Sequence, residues 1–166
     1  MEIAQLVLTD LNTDLDKLSE LSNFNPQLVL VFGYTEHFAN PLLASALEKY
    51  FPEAQRVGCS TAGEIANSGV LNHTTVVSAI RFNATQFTVA TAAINGMSSS
   101  FEAGLSLAKQ LEASHPQAVI VLGQGVDING SAMIEGMVSC LGETVAITGG
   151  LAGDDGAFSK TYTLSN

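Results

Sequence analysis

Eight consecutive residues, Gly58 to Ile65 (GCSTAGEI), concentrate reactive and ligand-binding groups. They supply a thiol at Cys59, hydroxyls at Ser60 and Thr61, and a carboxylate at Glu64, set among small residues that include Gly63. Glycines let a backbone approach a ligand closely. Exposed N–H groups in such a turn form an anion-binding nest, hydroxyls donate and accept, and a carboxylate holds an ammonium group. A second stretch, Thr148 to Gly156 (TGGLAGDDG), adds Gly149, Gly150, Asp154 and Asp155. These nine residues form the expected ligand site: Cys59, Ser60, Thr61, Gly63, Glu64, Gly149, Gly150, Asp154 and Asp155. The simpler alternative is that each Ala-Gly-acid sequence only shapes a tight turn.

Cys59 also raises a catalytic reading, as a nucleophile with a histidine base and a thiol acidified by loop N–H groups. The histidines are His37, His73 and His115, none adjacent to it in sequence. Gly63 follows Ser60 by three positions, so GCSTAG is not a GxSxG elbow. A binding role without catalysis is therefore expected. Cys140 falls in an apolar helical pattern and is expected simply to pack. The two cysteines have no metal-site spacing.

The elements that position these groups are legible from periodicity. Strands are expected at Ile3–Thr9, Leu28–Phe32, Arg56–Gly58, Ala118–Leu122, Val145–Thr148 and Phe158–Leu164. Continuous apolar runs such as Leu28–Phe32 suit strands covered on both faces. A helix with Leu11, Leu15, Leu18 and Leu21 inward is expected after Asn12 or Thr13 as N-cap. Another begins at Asn40-Pro41, with Leu43, Ala46, Leu47, Tyr50 and Phe51 inward. A capping box, Ser99 with Glu102, opens a third with Phe101, Leu105, Ala108 and Leu111 buried. The fourth spans Asn129–Leu141 and stops at Gly142. Thr74–Phe82 and Gln86–Ala93 read as an antiparallel hairpin. The fold class is α/β, a mixed sheet flanked by helices.

Two patterns recur 90 positions apart. Pro26–Gly33 (PQLVLVFG) aligns with Pro116–Gly123 (PQAVIVLG), and Val57–Glu64 with Ile147–Asp154. Phe38, Leu43, Leu47 and Phe51 match Ile128, Met133, Met137 and Leu141. The expectation is a duplicated scaffold of two similar βαβαβ-type halves, residues 1–82 and 86–166, with the hairpin between them. Chance likeness between generic α/β units is the alternative.

Composition bounds the function. Of 166 residues, 46% are hydrophobic and 13% charged, which excludes the disordered class. No apolar run is long enough for a membrane helix, and the N-terminus lacks a signal-peptide pattern. A cytoplasmic location is expected. Sixteen acids against six bases give a net charge of -10. Such a chain repels nucleic-acid backbones and anionic membranes, and mildly favours a ligand carrying an amine.

GCSTAGEI following an apolar strand, a helix and a proline resembles the signature of the FIST N-terminal domain. Gly136 to Thr161, with GGLAGDDGAF, is similar to that family's second motif, and the LVFG strand and FPEAQ helix exit also fit. The resemblance spans residues 27 to 161. It implies a sensory input module that binds a small molecule, in particular an amino acid. Implied output partners are a kinase, a chemoreceptor or a cyclic-dinucleotide enzyme. Some members of the family are haem-binding nitric-oxide sensors, so haem is a further implied cofactor, needing an axial ligand such as a histidine or Cys59. A FIST C-terminal domain commonly follows. The chain is expected to be a single FIST N-terminal-like domain, 1–166, without that second domain, and a homodimer is one expected form. For an amino acid, the ligand carboxylate would meet loop N–H groups and its ammonium Glu64 or Asp154, because a buried unpaired charge is costly.

Overall fold

The computed structural model describes residues 1–166. Along the chain its elements are β1 (Glu2–Leu8), α1 (Leu11–Asp14), α2 (Leu18–Ser22), β2 (Leu28–Gly33), α3 (Thr35–Ala39), α4 (Pro41–Tyr50), β3 (Gln55–Ser60), β4 (Glu64–Ala66), β5 (Gly69–Leu71), β6 (Thr75–Arg81), α5 (Ser100–Leu111), β7 (Ala118–Gly123), α6 (Gly130–Leu141), β8 (Ala146–Leu151) and β9 (Thr163–Ser165). They form two units: Met1–Gln86 with Ala152–Asn166, and Phe87–Leu151. The class is α/β, with a mixed sheet flanked by helices. No helix is long and apolar enough to cross a membrane.

In the first unit the sheet order is β1-β6-β2-β3-β9. β2 and β3 are parallel and every other pair is antiparallel. Val29 and Val31 are fully buried and alternate with half-buried residues along β2. They meet Leu8, Val77, Leu18, Leu43, Leu47 and neighbouring apolar side chains in one core. Asn40 caps α4 by accepting from Leu42 N–H at 3.0 Å, and Pro41 opens the helix where no N–H is needed.

The second unit pairs β7 and β8 in parallel. Helices α5 and α6 meet through Gly104 and Gly136: a Cβ at Gly104 would overlap the carbonyl of Met133, and one at Gly136 that of Phe101. Two glycines are thus required for the helix backbones to touch. The buried stripe of α5 is Ser100, Ala103, Gly104, Ala108 and Leu111, whereas Phe101 and Leu105 lie half-buried.

Several expectations are corrected. The first helix is capped by Asp10, not Asn12 or Thr13, and is broken by a 3₁₀ turn at Leu15–Lys17. β3 runs through Ser60, so Cys59 and Ser60 are buried strand residues rather than loop residues. Gln86–Ala93 forms no hairpin with β6, whose partners are β1 and β2. The β-branched residues of that segment fit a strand, but strand formation needs a hydrogen-bonding neighbour. The Ser99 hydroxyl makes no capping bond to α5; it accepts from Asn95 N–H and donates to the Gly96 carbonyl. The expected strand at Phe158–Leu164 shrinks to β9, because Asp154 gathers the N–H groups ahead of it into a loop.

The two parallel pairs share one local device. A Cβ at Gly58 would overlap the Val31 carbonyl, and a Cβ at Gly149 would overlap the Val121 carbonyl. Gly58 therefore corresponds in packing to Gly149, 91 positions on, while Val31 corresponds to Val121 at 90. The gapless alignment, which sets Gly58 against Thr148, is out of register by one residue there. Leu43 and Leu47 in α4, and Met133 and Met137 in α6, are buried at matching positions.

Candidate functional site

The end of β3 is held by Ser60, which is fully buried. Its N–H donates to the Tyr162 carbonyl at 2.9 Å and its carbonyl accepts from Gly153 N–H at 2.8 Å. Its hydroxyl donates to the Gly153 carbonyl at 2.7 Å and accepts from Tyr162 N–H at 3.0 Å. Thr61 N–H donates to the Gly33 carbonyl at 2.9 Å. The N–H groups of Ser60, Thr61 and Gly153 are therefore spent inside the fold rather than offered to an anion.

Glu64 is 1% exposed. Its carboxylate accepts from the Thr61 hydroxyl at 2.8 Å, the Thr74 hydroxyl at 2.8 Å and Thr74 N–H at 3.2 Å. Three donors compensate its loss of water. They also tie the turn after β3 to the start of β6. Gly63, at φ +132°, makes that turn in a conformation that suits glycine. Cys59 is buried, which pushes its thiol up to about 11. A thiol so placed is protonated and unreactive near neutral pH.

Asp154 organises the following loop. Its carboxylate accepts from the N–H groups of Phe158 at 2.9 Å, Ser159 at 2.6 Å and Lys160 at 3.0 Å. The Ser159 N–H is the leading cause that holds its carboxyl below the usual range. Asp155 (φ +58°) and Gly156 (φ +80°) then turn the chain sharply. Asp155 and Lys160 remain exposed.

This loop forms one wall of a cleft of about 320 Å³ in the first unit. The opposite wall is Tyr34, Thr35 and Glu36, which follow the carboxyl end of β2. Ligand sites in α/β sheets lie at such ends. Tyr34 N–H donates to the Thr74 carbonyl at 2.8 Å. The rings of His37 and His73 pack edge-on against the Tyr34 ring, with centroids 5.9 and 4.5 Å away. A hydrogen bond with Glu36 raises the Tyr34 phenol above its ordinary value. Thr35 Oγ1 is buried without a hydrogen-bond partner. Lys160 Nζ stands over the Tyr162 ring, 4.8 Å from its centroid.

Of the nine expected residues, Asp154 and Asp155 line this cleft. Cys59, Ser60, Thr61, Gly63 and Glu64 belong to the same unit and shape the ends of β3 and β6. Gly149 and Gly150 belong to β8 of the second unit, where Gly149 packs on Val121. Tyr34, Thr35, Glu36, Ser159, Lys160 and Tyr162 escaped the sequence reading. The rule that ligands sit beyond strand carboxyl ends, applied to the Leu28–Phe32 run, points to the first three. A more voluminous groove on α5, lined by Glu102, Leu105, Ser106, Lys109 and Gln110, uses side chains of one helix only. Such a surface does not converge on a ligand.

The residues do not fit haem. His37 Nδ1 is engaged with Thr75 Oγ1 at 2.9 Å, and His73 packs on Tyr34. The cleft is lined by neither histidine nor cysteine. His115, in the second unit, ends a 3₁₀ turn in left-handed backbone.

Comparison with known proteins gives one match: the family model described as FIST N domain covers residues 27–166. No curated protein and no solved structure matches.

Proposed function

Because this chain belongs to the FIST N domain family, a family of sensory domains in signal transduction, we propose that it senses a free amino acid or a similar zwitterionic metabolite. The observation that carries this reading is the charge arrangement of the cleft. Glu36 and Asp155 stand with Lys160 among its lining residues. The two carboxylates suit an ammonium group, and the lysine suits a carboxylate. Thr35 Oγ1, buried and unpaired, supplies a further polar contact. The volume of about 320 Å³ suits a small metabolite and lies at the low end of ordinary ligand sites.

In this reading the residues divide by role. Asp155, Glu36 and Lys160 contact the ligand. Asp154 holds the loop that presents two of them. Ser60 stitches that loop to β3, and Glu64 fixes the neighbouring turn. Ligand occupancy would order the exposed Asp155–Lys160 segment, and that change is what an output partner such as a kinase, chemoreceptor or cyclic-dinucleotide enzyme would read. The raised Cys59 thiol supports binding over cysteine catalysis. Calorimetric titration with free amino acids, each beside its decarboxylated amine and its deaminated acid, tests the reading. Binding that needs both charged groups supports it. Equal binding of the amine or acid alone, or none by any amino acid, overturns it.

A further inference from the structure

Lys160 and Tyr162 line the same cleft, and the lysine's ammonium rests on the tyrosine's ring face, 4.8 Å from its centroid. A ring face attracts a cation at that range. Lys160 makes no ion pair: the chain's ion pairs join Lys17 to Asp14 and Arg81 to Glu2. Its side chain is exposed, so it can swing away from the ring. Tyr162, by contrast, is fixed in place. Its N–H donates to the Ser60 hydroxyl at 3.0 Å, and its carbonyl accepts from Ser60 N–H at 2.9 Å.

A second observation concerns hydrogen-bond acceptors. Three carboxylates line the cleft, those of Glu36, Asp154 and Asp155. Glu36 is bonded to the Tyr34 phenol, and Asp154 accepts from three backbone N–H groups. Two of the three carboxylates thus keep their negative charge but have spent accepting capacity on the protein itself. A primary ammonium brings three N–H donors, each needing an acceptor. A quaternary ammonium brings none. It needs a ring face with negative charge nearby, and the cleft has both.

We propose that the Tyr162 ring is the seat of the ligand's cation, held by Lys160 as an internal stand-in until a ligand displaces it, and that the preferred ligand is a zwitterion with an N-methylated ammonium, of the betaine type. On binding, the ligand's ammonium takes the ring face in the field of Glu36, Asp154 and Asp155. The displaced Lys160 ammonium turns to the ligand's carboxylate. One cation replaces another on the ring, so the exchange leaves Tyr162 partnered throughout. This inference rests on the reading of the cleft as a zwitterion site, and adds which zwitterion is preferred and which residue selects it.

Calorimetric titration of the whole chain tests this with three probes: glycine betaine, its isostere 3,3-dimethylbutanoate, which lacks the positive charge, and tetramethylammonium, which is the cation alone. Betaine should bind the parent saturably, at least about tenfold tighter than the isostere. Tyr162→Phe keeps the ring face and should hold betaine within about threefold, whereas Tyr162→Leu should weaken it at least about tenfold. Lys160→Met should move the two cations in opposite senses. It should weaken betaine at least about tenfold by removing the carboxylate's partner, and strengthen tetramethylammonium at least about threefold by freeing the ring. The seat is overturned by equal binding of the isostere, by betaine affinity that survives Tyr162→Leu, or by tetramethylammonium that binds Lys160→Met no better than the parent. No binding of either cation up to about 10 mM also overturns it. Free amino acids bound while betaine is not would overturn the seat and leave the zwitterion reading of the cleft standing. Tetramethylammonium bound with the stated dependence on Tyr162 and Lys160, but no zwitterion bound, would keep the seat and overturn that reading. Should Tyr162→Leu fail to fold, the Lys160→Met comparison, made at an exposed position, still decides.

Discussion

Ser60 and Gly153, 93 residues apart, hold each other through two hydrogen bonds: the Ser60 hydroxyl donates to the Gly153 carbonyl at 2.7 Å, and Gly153 N–H returns to the Ser60 carbonyl at 2.8 Å. This clasp fastens the acidic loop to the end of β3. Substitution Ser60→Ala removes the hydroxyl and leaves Tyr162 N–H without its acceptor. The expected cost is about 1–3 kcal/mol, measured by chemical denaturation. The loop should also exchange its amides faster, and amino-acid affinity should fall, although Ser60 touches no ligand in this account.

Glu64→Ala is predicted to act on stability. It strands the Thr61 hydroxyl and both Thr74 donors inside the protein. A loss of about 2–3 kcal/mol is expected from leaving those donors unsatisfied. Ligand affinity measured on the folded fraction should change by less than about threefold. A variant as stable as the parent but unable to bind would return Glu64 to the ligand site.

Cys59 should resist a thiol probe near pH 8 until the protein unfolds, while the less buried Cys140 reacts first. Burial raises the folded thiol from an ordinary 9.0 to about 11. The unfolded thiol therefore ionises first, and stability should fall as pH rises through about 9, levelling above about 11. The size of this loss is on the order of 2–3 kcal/mol. Cys59→Ala should flatten that part of the denaturation profile.

Acid should weaken the fold through different groups. Lys17, then the N–H groups of Thr9 and Asp10, hold the Asp14 carboxyl far below its ordinary 3.8. Asp154 is lowered in the same direction by its loop N–H groups. Folded values below unfolded ones mean that this stability is present above about pH 4 and is lost as the pH falls further. His37, lowered from 6.5 chiefly by burial, adds a loss that begins as the pH drops through 6.5. In denaturation series, Asp14→Asn should be less stable than the parent at neutral pH, and the gap should narrow in strong acid.

The strongly patterned parts of the fold were legible. Leu28–Phe32, Asn40-Pro41 and Asn129–Leu141 each carry local signals, and each appears at its expected place. What escaped depended on distant partners. Nothing near Gln86–Ala93 says that β6 turns to β1 and β2 instead. Gly104 and Gly136 look like helix-weakening residues until α5 and α6 are seen in contact. For the site, the small residues and acids were recognisable as turn-formers. Their bonding partners, Tyr162, Thr74 and Ser159, lie elsewhere in the chain or follow from a loop geometry that residue types do not reveal. The carbonyl and N–H inventory thus decides which acid is structural and which stays open to a ligand.

The central claim is that Glu36, Asp155 and Lys160 grip the two charged ends of one small molecule. Calorimetric titration of the parent, Lys160→Met and Asp155→Asn with a panel of free amino acids tests it most directly. Saturable binding of at least one amino acid by the parent is expected, weakened at least about tenfold in each variant, with unfolding midpoints unchanged because both side chains are exposed. A bound amino acid whose affinity survives both substitutions would contradict it.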